Sequence, residues 1–591
     1  MINRVSLLVF VLLLAALLPS ASAEISFTTS PVWTSGDLRC STGGVVADFD
    51  RDGFLDFAVS NGNDMAIEPE VIYWGNATGV ATDPGWISTD EDYSGHCIAG
   101  DLNGDLFPEL IVGNYISSPT GFTPSIVKQY GNHDGVLTDA PVWSSADLNN
   151  TFSVALGDVD GDGDLDLACA NGESYTQKPQ PNDIYLNEGG DLSVNPDWVS
   201  DDEDCSYDLE FADFDRDGDL DLAVANSRAP TRIYTNTGTT LETAASWSSS
   251  IIDNDNSITW ADVDGDGWLD LAVITNSQIN PSTGKIKIFM NRFGTIETSP
   301  SWSVFSPGTQ PYGSAIVFRD FDSDLDLDLA AGSWWSQVVV YENNGHSLEV
   351  EPVIVSENAF VIEQIAVWTS SDGRILDEKT VRIDEPASVV TLTGIPPEMI
   401  RDVHLNGDLL QADQYCIDPG CQWISFARAL EPGDELRIVV ERGSDLELLV
   451  TSWGDSGAQG PNYGYRNSST TPPLERSIEL KANQAIFEGG DTFHLAATIH
   501  NPMESFSADL YILMEVEGLF FFYPQWTQDL QSVPVQIAQY DRLHLPVLDF
   551  TFGPSIGYDG MIRFYGAIFY PGTFDLAGPY HSIELRLSEG N

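Results

Sequence analysis

The stretch Asp158-Val-Asp-Gly-Asp-Gly-Asp-Leu-Asp166, running straight into Leu167-Ala168-Cys169-Ala170, decides how the rest of the chain is read. It sets carboxylates at its first, third, fifth and ninth positions and a glycine, Gly163, at its sixth. Calcium takes about six to eight oxygens at roughly 2.3–2.6 Å, and acids on alternate residues of a curling loop can supply them. Glycine at the sixth position permits the turn that brings the last acid back. A helix–loop–helix calcium site begins the same way but places its final acid at about the twelfth position, between two helices. Here the loop closes at the ninth position and passes into an apolar run that reads as a strand.

The pattern recurs, so the ligand set is read six times. The sets are Asp48, Asp50, Asp52 and Asp56; Asp101, Asn103, Asp105 and Glu109; and Asp158, Asp160, Asp162 and Asp166. The other three are Asp213, Asp215, Asp217 and Asp221; Asp262, Asp264, Asp266 and Asp270; and Asp320, Asp322, Asp324 and Asp328. Successive first aspartates are 53, 57, 55, 49 and 58 residues apart, by subtraction of their numbers. A period near 50 residues marks a fold whose repeats bury their faces against one another. Leu106 and Leu325 stand where the other loops have glycine, which weakens the second and sixth sites.

Each repeat shares one grammar. A segment such as Phe152-Ser-Val-Ala-Leu156 precedes the acidic loop and an apolar run follows it. A polar loop then leads to a strand ending in Tyr-x-Asn or similar, as in Ile184-Tyr-Leu-Asn187 and Val340-Tyr-Glu-Asn343. A glycine turn leads on to Pro-x-Trp, as in Pro141-Val-Trp143 and Pro300-Ser-Trp302. Four short strands per repeat describe a propeller blade. Tryptophans on a surface could serve as sugar platforms, but their constant phase favours packing between blades.

The segments Asp158–Ala170, Asp213–Ala225 and Asp262–Ile274 resemble the FG-GAP/VCBS repeats of integrin-alpha-like propellers. The resemblance covers residues 24–395 and implies a seven-bladed β-propeller with up to six structural Ca2+ ions, one between the first two strands of each of six blades. It also implies that ligands meet the opposite face. The phenylalanine–glycine pairs that name the family are not kept in front of these loops. A degenerate seventh blade is expected to take three strands from 361–395 and its fourth from 24–34, closing the ring and removing exposed edges.

The expected architecture is therefore all-β: a propeller followed by two small β-sandwich domains. Residues 396–450 form the first, 451–474 a Gly/Asn/Ser/Thr/Pro-rich linker, and 475–591 an immunoglobulin-like sandwich. The run Phe520-Phe-Phe-Tyr-Pro524 reads as a buried strand rather than a contact patch. Residues 1–23 read as a signal peptide: Arg4, an apolar core from Val5 to Leu18, and cleavage near Ala23. No later apolar run is long enough to span a membrane, so the expected location is secreted or at a cell surface.

With 25 basic and 90 acidic residues the chain carries a formal charge of −65, which excludes nucleic acid and anionic membranes as partners. Six cysteines in an exported chain point to disulfides. Cys416 and Cys421 flank a turn and are expected to pair. Cys40, Cys97, Cys169 and Cys205 allow three pairings, of which Cys40–Cys97 and Cys169–Cys205 would link neighbouring repeats. Gly454-Asp-Ser-Gly457 echoes a protease nucleophile segment but lies in the linker with no matching histidine motif.

No catalytic residue is assigned. The variable loops away from the acidic ones hold the candidate ligand face: Tyr115, Tyr175, Arg228, Trp334 and Trp335, with Asn63-Asp64-Met65 and Asn280 nearby. Two readings of function stand beside each other. One is an exported calcium-binding platform for adhesion to a protein or glycan; the alternative is an extracellular polysaccharide lyase or hydrolase on the same scaffold. A passive matrix component is a third, because a fold does not fix a function.

Overall fold

The computed structural model describes residues 25–278, 284–308, 312–322, 326–344, 347–369, 375–383, 386–392, 399–411, 414–420, 422–442, 446–453, 459–468, 477–482, 486–487, 492–501, 506–516, 519–526, 531–537, 541–551, 560–571, 577 and 581–587. The signal segment, Asn280, Asp324, Leu325, Cys421 and Gly454–Gly457 lie outside the described residues. Among those described there is no helix, and so none long and apolar enough to cross a membrane. The fold is all-β and propeller-like.

Among the described residues, seven units of four antiparallel strands follow one plan. In the third, Thr151–Gly157 pairs with Asp166–Asn171, which pairs with Gln180–Tyr185, which pairs with the start of Trp198–Ala212. The rest of that long strand opens the fourth unit. The first strands of units one to six are Ser41–Ala47, Tyr93–Gly100, Thr151–Gly157, the end of Trp198–Ala212, Asp253–Ala261 and Gly313–Arg319. These first strands neighbour one another in succession, and the seventh, Val361–Thr369, lies against Ser41–Ala47. Gly44 N donates to Gln364 Oε1 across that junction at 2.5 Å. The first strands approach so closely that a Cβ on Gly95 would come 2.1 Å from Phe152 O.

Two repeated devices join the units. Each Pro-x-Trp ring packs edge-on against the third-strand aromatic of the next unit. Trp143 meets Tyr185 at 5.6 Å and 80°, and its indole N–H donates to Leu192 O at 3.0 Å. Trp198 and Trp302 repeat this on Tyr234 and Tyr341, so the tryptophans serve packing between units as expected. The Tyr-x-Asn asparagine is the second device. Asn187 Nδ2 donates back to Leu102 O of the preceding unit at 2.7 Å and to its own Leu165 O at 3.1 Å. Asn236, Asn291 and Asn343 make the same pair of bonds.

The seventh unit departs from the expectation. Val361–Thr369 pairs with Leu446–Trp453, not with residues 375–395; Leu446–Trp453 pairs with Tyr463–Arg466, which pairs with Trp33–Thr34. The N-terminal strand does supply the fourth position. The second and third come from residues assigned to the small domain and the linker. Tyr465-Arg466-Asn467 is the missing Tyr-x-Asn, and Asn467 Nδ2 donates to Phe321 O of the sixth unit at 2.5 Å.

The first small domain therefore does not follow the propeller-like body; it is inserted into its last unit. It leaves after the first strand, at the connection that carries the acidic loop in the other six. Its two sheets, Ile375–Arg382 with Glu435–Arg442 and Met399–Leu405, and Ala387–Thr391 with Trp423–Leu430 and Tyr415–Ile417, enclose Val403, Ile424, Phe426 and Ile438. The physical reason is that 361–369 and 446–453 alternate in the same phase: Leu448 and Val450 extend the face of Ile362 and Ile365, and Leu449 extends that of Trp368.

Beyond residue 476, Ser477–Ala482, Thr492–Asn501 and Asp541–Thr551 form one sheet, and Phe506–Val516 and Gly560–Phe569 anchor a second. The two share a core that includes Leu480, Leu495, Ile512 and Phe564. Leu519–Phe522 is a strand of the second sheet with Phe522 buried.

The pairs Cys40–Cys97 and Cys169–Cys205 do not form. Cys40, Cys97, Cys169 and Cys205 are free thiols. Cys40 packs with Trp334 and Trp453, Cys97 in the core between the first two units and Cys169 in that of the third, while Cys205 Sγ donates to Glu173 O at 3.3 Å. Each side chain is committed to a different environment. Cys416 is buried, and its expected partner lies outside the described residues.

Candidate functional site

The acidic loops do two jobs with one set of carboxylates. In five of them the first, third and ninth acids bring oxygens within 4.8 Å of one another: Asp48/50/56, Asp158/160/166, Asp213/215/221, Asp262/264/270 and Asp320/322/328. The ninth acid is also a backbone knot. Asp166 Oδ2 accepts Val159 N and Oδ1 accepts Asn187 N, both at 2.8 Å. Asp56, Asp270 and Asp328 do the same. The fifth acids cap the turn instead: Asp52, Asp162, Asp217 and Asp266 each accept the amide two residues on, an Asx turn. They are not among the gathered oxygens.

The second loop is not among the five. Asn103 Nδ2 donates to Glu109 Oε1 at 3.0 Å, and Glu109 Oε2 accepts Leu102 N at 2.9 Å. An amide thus occupies Glu109, while Asp101 and Asp105 accept backbone amides. Leu106 adopts φ +73°, the conformation that Gly53, Gly163, Gly218 and Gly267 adopt at φ +90° to +97°. A side chain in that region costs about 1 kcal/mol or more. Leu106→Gly is therefore expected to raise stability by about 1 kcal/mol, read as a higher urea midpoint.

The five gathered loops fit a hard cation. Asp48 Oδ1, Asp160 Oδ1, Asp213 Oδ1 and Asp221 Oδ2 are buried and accept no hydrogen bond, a costly arrangement unless a cation faces them. Burial, with neighbouring loop aspartates adding to it, pushes Asp48 up to about 6, Asp158 and Asp213 to about 7 and Asp221 to about 9. All-oxygen donors without histidine or thiolate are the chemistry of calcium or magnesium rather than of zinc.

At the opposite end of the units lies a cavity of about 170 Å³ to which all seven contribute. Tyr115, Tyr175 and Trp334 of the expected ligand face line it, as do Asn63, Asp64 and Met65. Arg228 and Trp335 do not. Arg228 is half-buried, its amide donating to Asn254 Oδ1 at 3.1 Å, and Trp335 packs edge-on against Tyr312 and Trp334.

Sequence reasoning missed Tyr207, Asn254, Glu363 and Trp453, which also line the cavity. Glu363 is buried; Trp453 Nε1 donates to its Oε1, and burial pushes its carboxyl up to about 8. Tyr115 OH is buried without a hydrogen-bond partner. Tyr175 OH donates to Gln278 Oε1 at 3.1 Å. Among the described residues lining this mouth there is no Lys, Arg or His.

A propeller-like repeat protein with carboxylate-gathering loops on one face and an aromatic mouth on the other is the class these features define. Comparison with family models agrees: an FG-GAP-like repeat matches residues 48–112 and 213–273, and an FG-GAP repeat matches 150–186. The chain therefore carries FG-GAP-like repeats over these residues. No curated protein matches it.

Proposed function

We propose that this protein is an exported, calcium-stabilised seven-bladed propeller that serves as a ligand-binding platform, with its ligand received at the axial mouth. The carrying observation is that seven units bring aromatic rings, amides and two acids to one cavity containing a partnerless buried phenol. Such groups favour a protein side chain or glycan that is neutral or positively charged; an acidic ligand would meet Asp64 with no Lys, Arg or His among the described lining residues to offset it. The terminal sandwich is the docking or stalk module of this reading.

The lyase alternative is less well supported. Three tyrosines do gather at the mouth, but burial pushes the phenols of Tyr115 and Tyr207 up, away from the range of a base. A lyase acting on acidic sugars would also need a cation beside the substrate carboxylate.

The test is a glycan and matrix-protein array probed with the mature protein, followed by titration of any ligand found. Tyr175→Ala, at a half-open position, is expected to weaken binding about tenfold, as expected for a central aromatic contact. Unchanged binding in that variant, or shortened glycan products, would move the site or the class.

A further inference from the structure

The inserted domain does not hang from the seventh unit; it lies on the third and fourth acidic loops. Ser425 Oγ donates to Asp158 Oδ2 at 2.5 Å, and Val389 N donates to Gly218 O at 3.0 Å. Val389, Cys416 and Trp423 complete the hydrophobic core that holds Leu165, Leu209 and Leu220. The sixth-position glycines are the contact surface. A Cβ on Gly163 would come 2.6 Å from Ala427 Cβ, and one on Gly218 would come 3.1 Å from Ala387 Cα. Gly163 and Gly218 are thus constrained twice, by positive φ and by the domain above them. Asp418, Pro419, Gly420 and Gln422 line the channel along the first strands, where Gln422 Nε2 donates to Glu210 Oε1 at 3.2 Å.

We infer that cations bound in the third and fourth loops hold the inserted domain in place, and that the docked domain in turn tightens the third site through Ser425. This rests on the calcium reading above. Asp158 belongs to both systems, since its carboxylate is one of the gathered set and also accepts the Ser425 hydroxyl. A packed contact at this spacing tolerates shifts of only tenths of an ångström. Repulsion among uncompensated aspartates would move the loop by more than that. Linkage makes the effect mutual: whatever the cation adds to docking, docking adds to cation affinity. Loss of the two ions would also withdraw Gln422 from its contact with Glu210 in the channel.

The experiment uses the full mature chain. Amide hydrogen exchange is followed across 387–391 and 423–427, and bound calcium is counted by equilibrium dialysis. In calcium, wild type is expected to protect both segments, and the double variant Asp160→Asn/Asp215→Asn to exchange there at least tenfold faster with two fewer ions. Asp322→Asn, the same change in the sixth loop, is expected to lose an ion without that loss of protection. Ser425→Ala tests the reciprocal arm in a chain with all its loop acids intact: one calcium affinity is expected to fall about tenfold. Two ions lost with protection unchanged, or an unaltered affinity in Ser425→Ala, would overturn the inference while leaving the calcium reading intact. A wild-type protein that binds no calcium would overturn both.

Discussion

Chelation is expected to lower the melting temperature of the propeller body while leaving the transition of residues 477–587 where it was. At a free calcium level ten times Kd, each site contributes about 1.4 kcal/mol. Five gathered loops together contribute several kcal/mol, and the melting temperature falls on the order of 10 °C. The direction of the pH effect follows from the raised carboxyls. In the metal-free protein Asp158 and Asp213 reach about 7 and Asp221 about 9, above the ordinary value of about 3.9. Acids raised on folding stabilise the fold at low pH, and that contribution is lost as pH rises through the folded values. The chelated protein should therefore be more stable at pH 5 than at pH 8, and the calcium-dependent difference should widen with pH. Calorimetry with calcium and with EGTA at the two pH values checks this. Equal melting under all four conditions would remove the metal from the account.

The second large effect separates the two jobs of the loop. Asp166→Asn places an amide group where two backbone N–H groups point at a carboxylate. Hydrogen bonds to a charged acceptor contribute about 1.5–3 kcal/mol each, and a stranded buried amide adds to the loss. A loss of about 3–5 kcal/mol is expected with calcium or with EGTA. Asp160→Asn should behave differently, because Asp160 Oδ1 has no donor to lose. It should cost about 1–2 kcal/mol in calcium and little in EGTA, where it relieves repulsion. Urea unfolding of the two variants in both conditions reads the contrast. If both variants responded to EGTA alike, the ninth acid would be a ligand and nothing more.

How much of this was legible in the sequence depends on how local each cause is. The loop from Asp158 to Asp166 carries its turn and its carboxylates within nine residues, so both the repeat and the strands on either side could be read from it. The Trp143–Tyr185 contact was foreshadowed by phase alone. The seventh unit was not, because the inserted segment 375–442 breaks the period and sends the search for partner strands to the nearest candidates. Tyr465-Arg466-Asn467 repeats the grammar of Tyr185-Leu186-Asn187, but its glycine- and asparagine-rich surroundings read as a linker. The mouth followed suit. Tyr115, near the end of the strand Glu109–Ile116, and Tyr175 and Trp334, in the turns after second strands, sit where the repeats point, whereas Glu363 and Trp453 belong to the misread unit. The ninth acid's knot was invisible because one of its donors, Asn187 N, lies 21 residues along the chain.

The pairing of Trp33–Thr34 with Tyr463–Arg466 has a consequence for how the molecule is made. Until residue 466 has been synthesised, Trp33–Thr34 has no strand to pair with and the seventh unit is incomplete. Its strands meanwhile present unpaired backbone, the kind of edge on which chains aggregate. The inserted domain lengthens that interval, because it must be synthesised between the first and second strands of the closing unit. Contacts so distant along the chain close slowly. Removing the insert and joining its flanking strands by a short loop should therefore speed completion of the seventh unit in refolding, even as it uncovers the third and fourth loops.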